Sequence, residues 1–130
     1  MSNVPTNLKY SKDHEWAKVD GNTLTMGITA FAVESLGDIV FVDLPKKGDV
    51  VKAHGTCGAV ESTKATSDVF SPVSGKVVDV NSALSDAPET MNQDPYEKGW
   101  LVKIEMADAK ELDALMDAAA YAEHVKNSKH

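Results

Sequence analysis

Polar and apolar residues alternate through Thr23-Leu-Thr-Met-Gly-Ile28, placing Leu24, Met26 and Ile28 on one side. Successive side chains of a strand point to opposite faces, so this run predicts a half-buried strand. Ile39-Val-Phe-Val-Asp-Leu44 is almost wholly apolar and reads as a strand covered on both sides. A buried helix segment shows the same run, but the short length and β-branched content favour the strand. Between the two, Thr29 to Gly37 offers a hydroxyl able to cap, a helix-tolerant middle and a closing glycine. That order predicts two helical turns near residues 30–36, anchored by Phe31 and Leu36. Further short β stretches, divided by turn residues at close intervals, fill residues 8–105, which makes the fold class mostly β, a small sandwich or barrel.

The pattern changes at Asp108-Ala-Lys-Glu111, which matches a capping box with aspartate at the cap. Leu112, Leu115 and Met116 then recur at helical spacing and predict one apolar stripe packed on the sheet. Asp117 is positioned to cap a second helix holding Tyr121 and Val125, and the polar run Asn127-Ser-Lys-His130 is expected to fray. A core over about residues 8–105 and C-terminal helices over about 108–126 are expected to form one domain spanning 1–130. Pro45-x-x-Gly48-x-Val50-Val51 recurs as Pro72-x-x-Gly75-x-Val77-Val78. Two turn-then-strand units, each with a rigid proline φ and a permissive glycine, predict pseudo-two-fold halves with Lys64 on the hairpin between them.

Composition narrows the functions. The chain has 130 residues, 42% hydrophobic, enough for one compact core, and a net charge of -7. Such a charge is repelled by nucleic-acid phosphates and anionic membranes and favours basic protein surfaces as partners. The sequence carries no apolar run of bilayer length and no signal-peptide core, so the expectation is a soluble cytoplasmic protein of a bacterium, with a mature mitochondrial form as the alternative. Cys57 is the single cysteine, which rules out an intrachain disulfide; its Thr-Cys-Gly-Ala setting offers no base and predicts a buried structural thiol. His14, His54, His124 and His130 lack metal-ligand spacing, and no metal is expected.

The segment Thr56 to Asn81 holds one lysine between two strand-like runs, Gly58-Ala-Val60 and Asp68-Val-Phe70. Lys64 is thereby expected at an exposed hairpin tip, its amine open among Ser62, Thr63, Ala65 and Thr66, with Glu61 and Asp68 as flanking negative charges. Read from residue types alone, it is an ordinary solvated charge. The run Gly58-x-Val-Glu-Ser-x-Lys-Ala-x-Ser-Asp68, followed by Ser71-Pro-Val-Ser-Gly75, resembles the lipoylation segment of glycine cleavage system H proteins. The resemblance continues through Asp13-His-Glu-Trp16, Leu36-Gly-Asp-Ile-Val-Phe-Val42, Leu44-Pro45, Asn92-Gln-Asp-Pro-Tyr96 and Gly99-Trp-Leu101, and so spans nearly the whole chain in order.

That resemblance implies a lipoyl/biotinyl-type barrel-sandwich hybrid and lipoate in amide linkage to Lys64. It implies that Glu61 and Gly75 are read by the lipoylating enzyme, and that Glu15 and Asp68 meet the amine of the loaded arm. Without it, Glu61, Glu15 and Asp68 are surface acids and Gly75 is a turn residue needing positive φ. The implied role is that of a non-catalytic, monomeric carrier. Lipoyl-Lys64 accepts the aminomethyl group from a pyridoxal-phosphate glycine decarboxylase, passes it to a tetrahydrofolate-dependent aminomethyltransferase, and is reoxidised by an FAD-containing dihydrolipoamide dehydrogenase. A lipoate ligase or lipoyl transferase is the implied modifying partner. Two departures stand out: Ala30-Phe-Ala-Val33 replaces the usual polar start and aromatic-Ala-Gln run, and Thr63 stands where valine is frequent. The alternatives are a lipoyl relay, a lipoyl or biotinyl domain of another complex, an enzyme using Cys57 or His14-Glu15, and a plain interaction module.

Overall fold

The structure is a computed structural model that describes residues 5–127. Residues 128–130 of the tail expected to fray, His130 among them, lie outside the described residues. The alternating run forms a strand over Thr23–Ile28 (β3), with Leu24 and Met26 fully buried. It pairs antiparallel with β2 (Glu15–Asp20) on one side and β9 (Val102–Met106) on the other. With β1 (Lys9–Tyr10), β5 (Val50–Val51) and β8 (Gly75–Val80) they make a six-stranded sheet in the order β1-β2-β3-β9-β8-β5. A second sheet, in the order β4-β6-β7, contains β4 (Ile39–Asp43), β6 (Thr56–Ser62) and β7 (Thr66–Phe70). Leu24, Met26, Val77 and Ile104 from the first sheet meet Val42, Val60 and Val69 from the second in one apolar cluster. Two open antiparallel sheets over a common core are the barrel-sandwich arrangement.

The run Ile39 to Leu44 is a strand, but it is not covered on both sides. Ile39 and Val42 are buried, whereas Val40 and Phe41 are 50% and 55% exposed. β4 lies at the edge of its sheet, and its register on β6 shifts between Ile39 and Phe41, which turns Phe41 outward opposite Glu61. The predicted short helix is α1 (Ala30–Leu36), capped by Thr29 Oγ1, which accepts from the Ala32 N–H, and closed by Gly37 at φ 87°. Its buried anchor is Val33; Phe31 and Leu36, expected in that role, are only half-buried. Two short helices, α2 (Ala83–Asp86) and α3 (Thr90–Gln93), follow β8 and bury Leu84 and Met91.

The C-terminal part departs from expectation in one respect. Residues Ala109–Ala114 form a 3₁₀ helix rather than an α-helix, and Glu111 does not reach back to the cap. Its carboxylate instead accepts from the Ser74 N–H (2.7 Å) and the Ser74 hydroxyl (3.0 Å). Leu112 and Leu115 pack on the main core, while Met116 exchanges two backbone hydrogen bonds with Tyr10 and joins a second cluster, so the predicted single stripe is divided. Asp117 caps α4 (Ala118–Asn127) as expected, accepting from the Ala120 N–H. Tyr121 of α4 is fully buried and stacks on Tyr10 at 4.6 Å beside Leu8 and Trp16.

The two echo units are bonded to each other as antiparallel partners, β5 on β8, with Val51 opposite Gly75. They are not alike in detail. Gly48 sits in a turn at φ 94°, whereas Gly75 opens a strand and has no positive φ, contrary to the turn role expected for it.

Candidate functional site

Lys64 is exposed at the apex of the β6–β7 hairpin. The turn is tied by Ser62, whose backbone N–H donates to the Ala65 carbonyl at 2.8 Å and whose Oγ accepts from the N–H groups of Lys64 (3.3 Å) and Ala65 (3.1 Å). A serine hydroxyl bonding backbone two and three residues on holds a tight turn without a large side chain. The tip rests on the loop after α1: the Thr63 N–H donates to the Asp38 carbonyl at 3.1 Å, and a Cβ at Gly37 would stand 3.6 Å from Lys64 Cε. The stem of Lys64 thus lies along Gly37 while its amine faces solvent.

Below the tip, the outward face of the three-stranded sheet carries two cross-strand rows. Phe41, Glu61 and Thr66 form one, and Asp43, Ala59 and Asp68 the other. All but Ala59 are exposed, so three carboxylates and one aromatic ring share the surface next to Lys64. Glu61 and Asp68, proposed from sequence for different roles, lie on this one face, and Asp68 lines a surface cleft with Asp43, Pro45 and Asp49.

Glu15 is elsewhere and is not a surface acid. It is 2% exposed at the start of β2. The Ser11 hydroxyl donates to its Oε1 at 2.5 Å and the Phe70 N–H donates to its Oε2 at 3.1 Å. Burial pushes its carboxyl up to about 8, outweighing the opposite pull of those two hydrogen bonds, and the charge of Asp13 adds to the rise. Glu15 therefore reaches the end of β7 through the backbone N–H of Phe70 and is buried, while Asp68 is exposed on the outward face of the three-stranded sheet. Next to Glu15, His14 holds φ 68° and its Nδ1 lies 2.8 Å from the Tyr121 hydroxyl, which is 2.7 Å from Thr29 Oγ1. This chain of polar groups joins α4 to the start of α1.

Gly75 is buried at the start of β8 in the six-stranded sheet and is required by close approach. A Cβ there would collide with the Glu105 carbonyl oxygen and sit 2.7 Å from Ile104 Cγ2. Cys57 is buried, with Sγ 3.8 Å from Met26 Sδ, and burial pushes its thiol up to about 12. Among the described residues no group of three or more His, Cys, Asp or Glu is placed to hold a metal ion. Nor is any helix of the described residues long and apolar enough to cross a membrane. Ser11 and Asn92 were not legible as site residues, because their partners come from distant segments; the Asn92-Gln-Asp-Pro-Tyr96 run was the one sequence signal near the second.

Two open sheets over one core, with a lysine lifted on a tied hairpin, define a barrel-sandwich domain that presents one exposed amine at the apex of its β6–β7 hairpin. The family profile described as "Glycine cleavage H-protein" matches residues 8–128. A glycine cleavage system H protein of Enterobacter sp. (strain 638) is 56% identical over 128 residues, covering 98% of this chain and 99% of that relative. One from Anaeromyxobacter sp. (strain K) is 54% identical over 126 residues, covering 97% of this chain and 98% of that relative. The crystal structure of a glycine cleavage system H protein from Mycobacterium marinum superposes with a TM-score of 0.86 at 42% identity, covering 97% of this chain and all of that one. The chain belongs to the glycine cleavage H-protein family.

Proposed function

We propose that Lys64 is the residue through which this chain, a carrier component of the glycine cleavage system, bears its lipoyl group. The observation that carries the reading is the exposed amine at the apex of a hairpin whose sequence matches the family's modification segment. The fit is sound: Ser62, Thr63, Ala65 and Thr66 leave the amine unobstructed, the stem lies along Gly37, and the tip is tied to the Asp38 carbonyl. Bound there in an amide, lipoate supplies a disulfide that takes up the aminomethyl group formed in glycine decarboxylation and is reduced in doing so.

The chain's own residues supply attachment, a surface and shelter, and no catalysis. Ser62 and the loop at Asp38 fix the tip. Glu61, one row below the tip, offers a modifying enzyme a fixed carboxylate, and Gly75 lets β8 and β9 pack closely enough to set the shape of the domain it reads. Glu15, buried and held by Ser11 and Phe70, meets the amine of a loaded arm as a carboxyl whose charge appears when a cation arrives, and Asp68 adds negative charge along the arm's outer path. Partners meet Phe41 among Asp43, Glu61 and Asp68. They are a pyridoxal-phosphate glycine decarboxylase, a tetrahydrofolate-dependent aminomethyltransferase, an FAD-containing dihydrolipoamide dehydrogenase, and a lipoate ligase or lipoyl transferase. The carrier works as a monomer in the bacterial cytoplasm.

Intact-mass measurement after incubation with a lipoate ligase, lipoate and ATP tests the assignment. One lipoyl increment on the wild type and none on Lys64→Ala, with both proteins unfolding alike, is the expected result, since an exposed tip side chain contributes little to stability. An increment that persists in Lys64→Ala refutes it.

A further inference from the structure

We propose that Asn92 is a positioning residue for the modification of Lys64: by clamping the loop under the hairpin tip, it sets how the amine is offered to the modifying enzyme. The inference rests on the reading of Lys64 as the acceptor. Asn92 is the third residue of α3, and its side chain is exposed, yet both of its polar atoms are engaged with backbone more than fifty positions away. Its Nδ2 donates to the Gly37 carbonyl at 2.8 Å and its Oδ1 accepts from the Ile39 N–H at 2.9 Å. The two bonds bracket Asp38, whose carbonyl accepts from the Thr63 N–H in the tip. Gly37 itself lies against Lys64 Cε.

The clamp is anchored in turn. Pro95, in the same run, accepts from Trp16 Nε1 at 2.9 Å, and the Tyr96 hydroxyl accepts from the Ala30 N–H at 3.1 Å. One segment, residues 92–96, therefore holds α1 at both ends, with Tyr96 at its first residue and Asn92 just past its last. This gives the Asn92-Gln-Asp-Pro-Tyr96 run a role that its composition does not reveal: it fixes the platform on which the tip rests.

A carboxamide donates to one backbone group from its nitrogen and accepts from another at its oxygen, which is what these two bonds require. Aspartate has the same shape but no donor, and would set a carboxylate against the Gly37 carbonyl. A side chain needed merely for surface polarity would be replaced well by aspartate; a clamp would not.

The test is steady-state kinetics of Lys64 modification by a lipoate ligase with lipoate and ATP, using the full chain as wild type, Asn92→Asp and Asn92→Ala. Losing both bonds in Asn92→Ala, or the Gly37 bond with an added carboxylate–carbonyl repulsion in Asn92→Asp, lowers the ratio of placed to displaced tip by about tenfold, and KM for the carrier rises by up to the same factor while kcat is kept. The amide of Thr63 exchanges hydrogen faster in both variants, and acylation of Lys64 by a small amine reagent proceeds at the wild-type rate, because the amine is exposed in either case. A merely structural role leaves KM unchanged wherever the variant is folded. Asn92→Asp alters no buried group, so it carries the test by itself if Asn92→Ala does not fold. Variants with wild-type KM overturn the role of Asn92 alone; a wild type that gains no lipoyl group overturns the assignment of Lys64 and this inference with it.

Discussion

Glu15→Gln keeps the shape and hydrogen-bonding pattern of a protonated carboxyl and removes its charge. In the folded chain this carboxyl titrates at about 8 against an ordinary value of 4.5, with burial as the main cause. Between those values the folded state holds a proton that the unfolded state has released. The group's contribution to stability is therefore complete below pH 4.5, falls as pH rises, and is gone once pH passes about 8. Each tenfold change in proton concentration within that window is worth about 1.4 kcal/mol. Going from about pH 6 to about pH 9 should thus remove on the order of 3 kcal/mol from the wild type and nothing at this position from Glu15→Gln. That is a large share of a net stability of roughly 5–15 kcal/mol. Urea unfolding followed by tryptophan fluorescence measures it, since Trp16 is buried beside the site. Unfolding free energies that stay parallel between the two proteins across this range would mean that Glu15 is ionised in the fold, and the account of it as a neutral buried acid would fail.

Gly75→Ala forces β9 away from β8 at the Glu105 carbonyl and should cost about 1–3 kcal/mol in urea unfolding. At temperatures where it remains folded, its lipoylation rate separates direct reading of Gly75 from an effect through the sheet: a normal rate removes it from the recognition surface. Glu61→Ala should leave unfolding within about 0.5 kcal/mol, as an exposed strand residue, while slowing ligase-catalysed modification. An unchanged rate in a gel-shift or mass assay takes Glu61 off the list of positions the enzyme reads.

What the sequence revealed tracked the range of the interactions involved. β3 and the Thr29 and Asp117 caps were legible because strand alternation and capping involve residues within a few positions of one another. The strand over residues 39–43 was legible as a strand, but the exposure of Phe41 was not, because it follows from a register shift against β6 and a place at the sheet edge. Asp108 and Glu111 had the spacing of a capping box, yet Ser74 claims the glutamate from another part of the chain and the backbone tightens to 3₁₀. Lys64 could be placed on a hairpin tip from its flanking strands. By residue type alone Glu15 reads as a surface acid, since nothing near it in sequence shows that it is buried and bonded to the Phe70 N–H, and Gly75 reads as a turn residue, because close strand approach leaves no local trace.

Cys57 lies under the sheet against Met26, with its thiol held far from ionisation. A body that carries a cyclic disulfide on a swinging tether, the role proposed for this chain, must not trap it, and only a thiolate attacks such a bond. At neutral pH a thiol raised to about 12 yields on the order of one thiolate in 10⁵ molecules, shut away from the tether as well. With lipoate on Lys64 as proposed, the protein would sit beside its own oxidant through repeated cycles without closing a mixed disulfide onto itself.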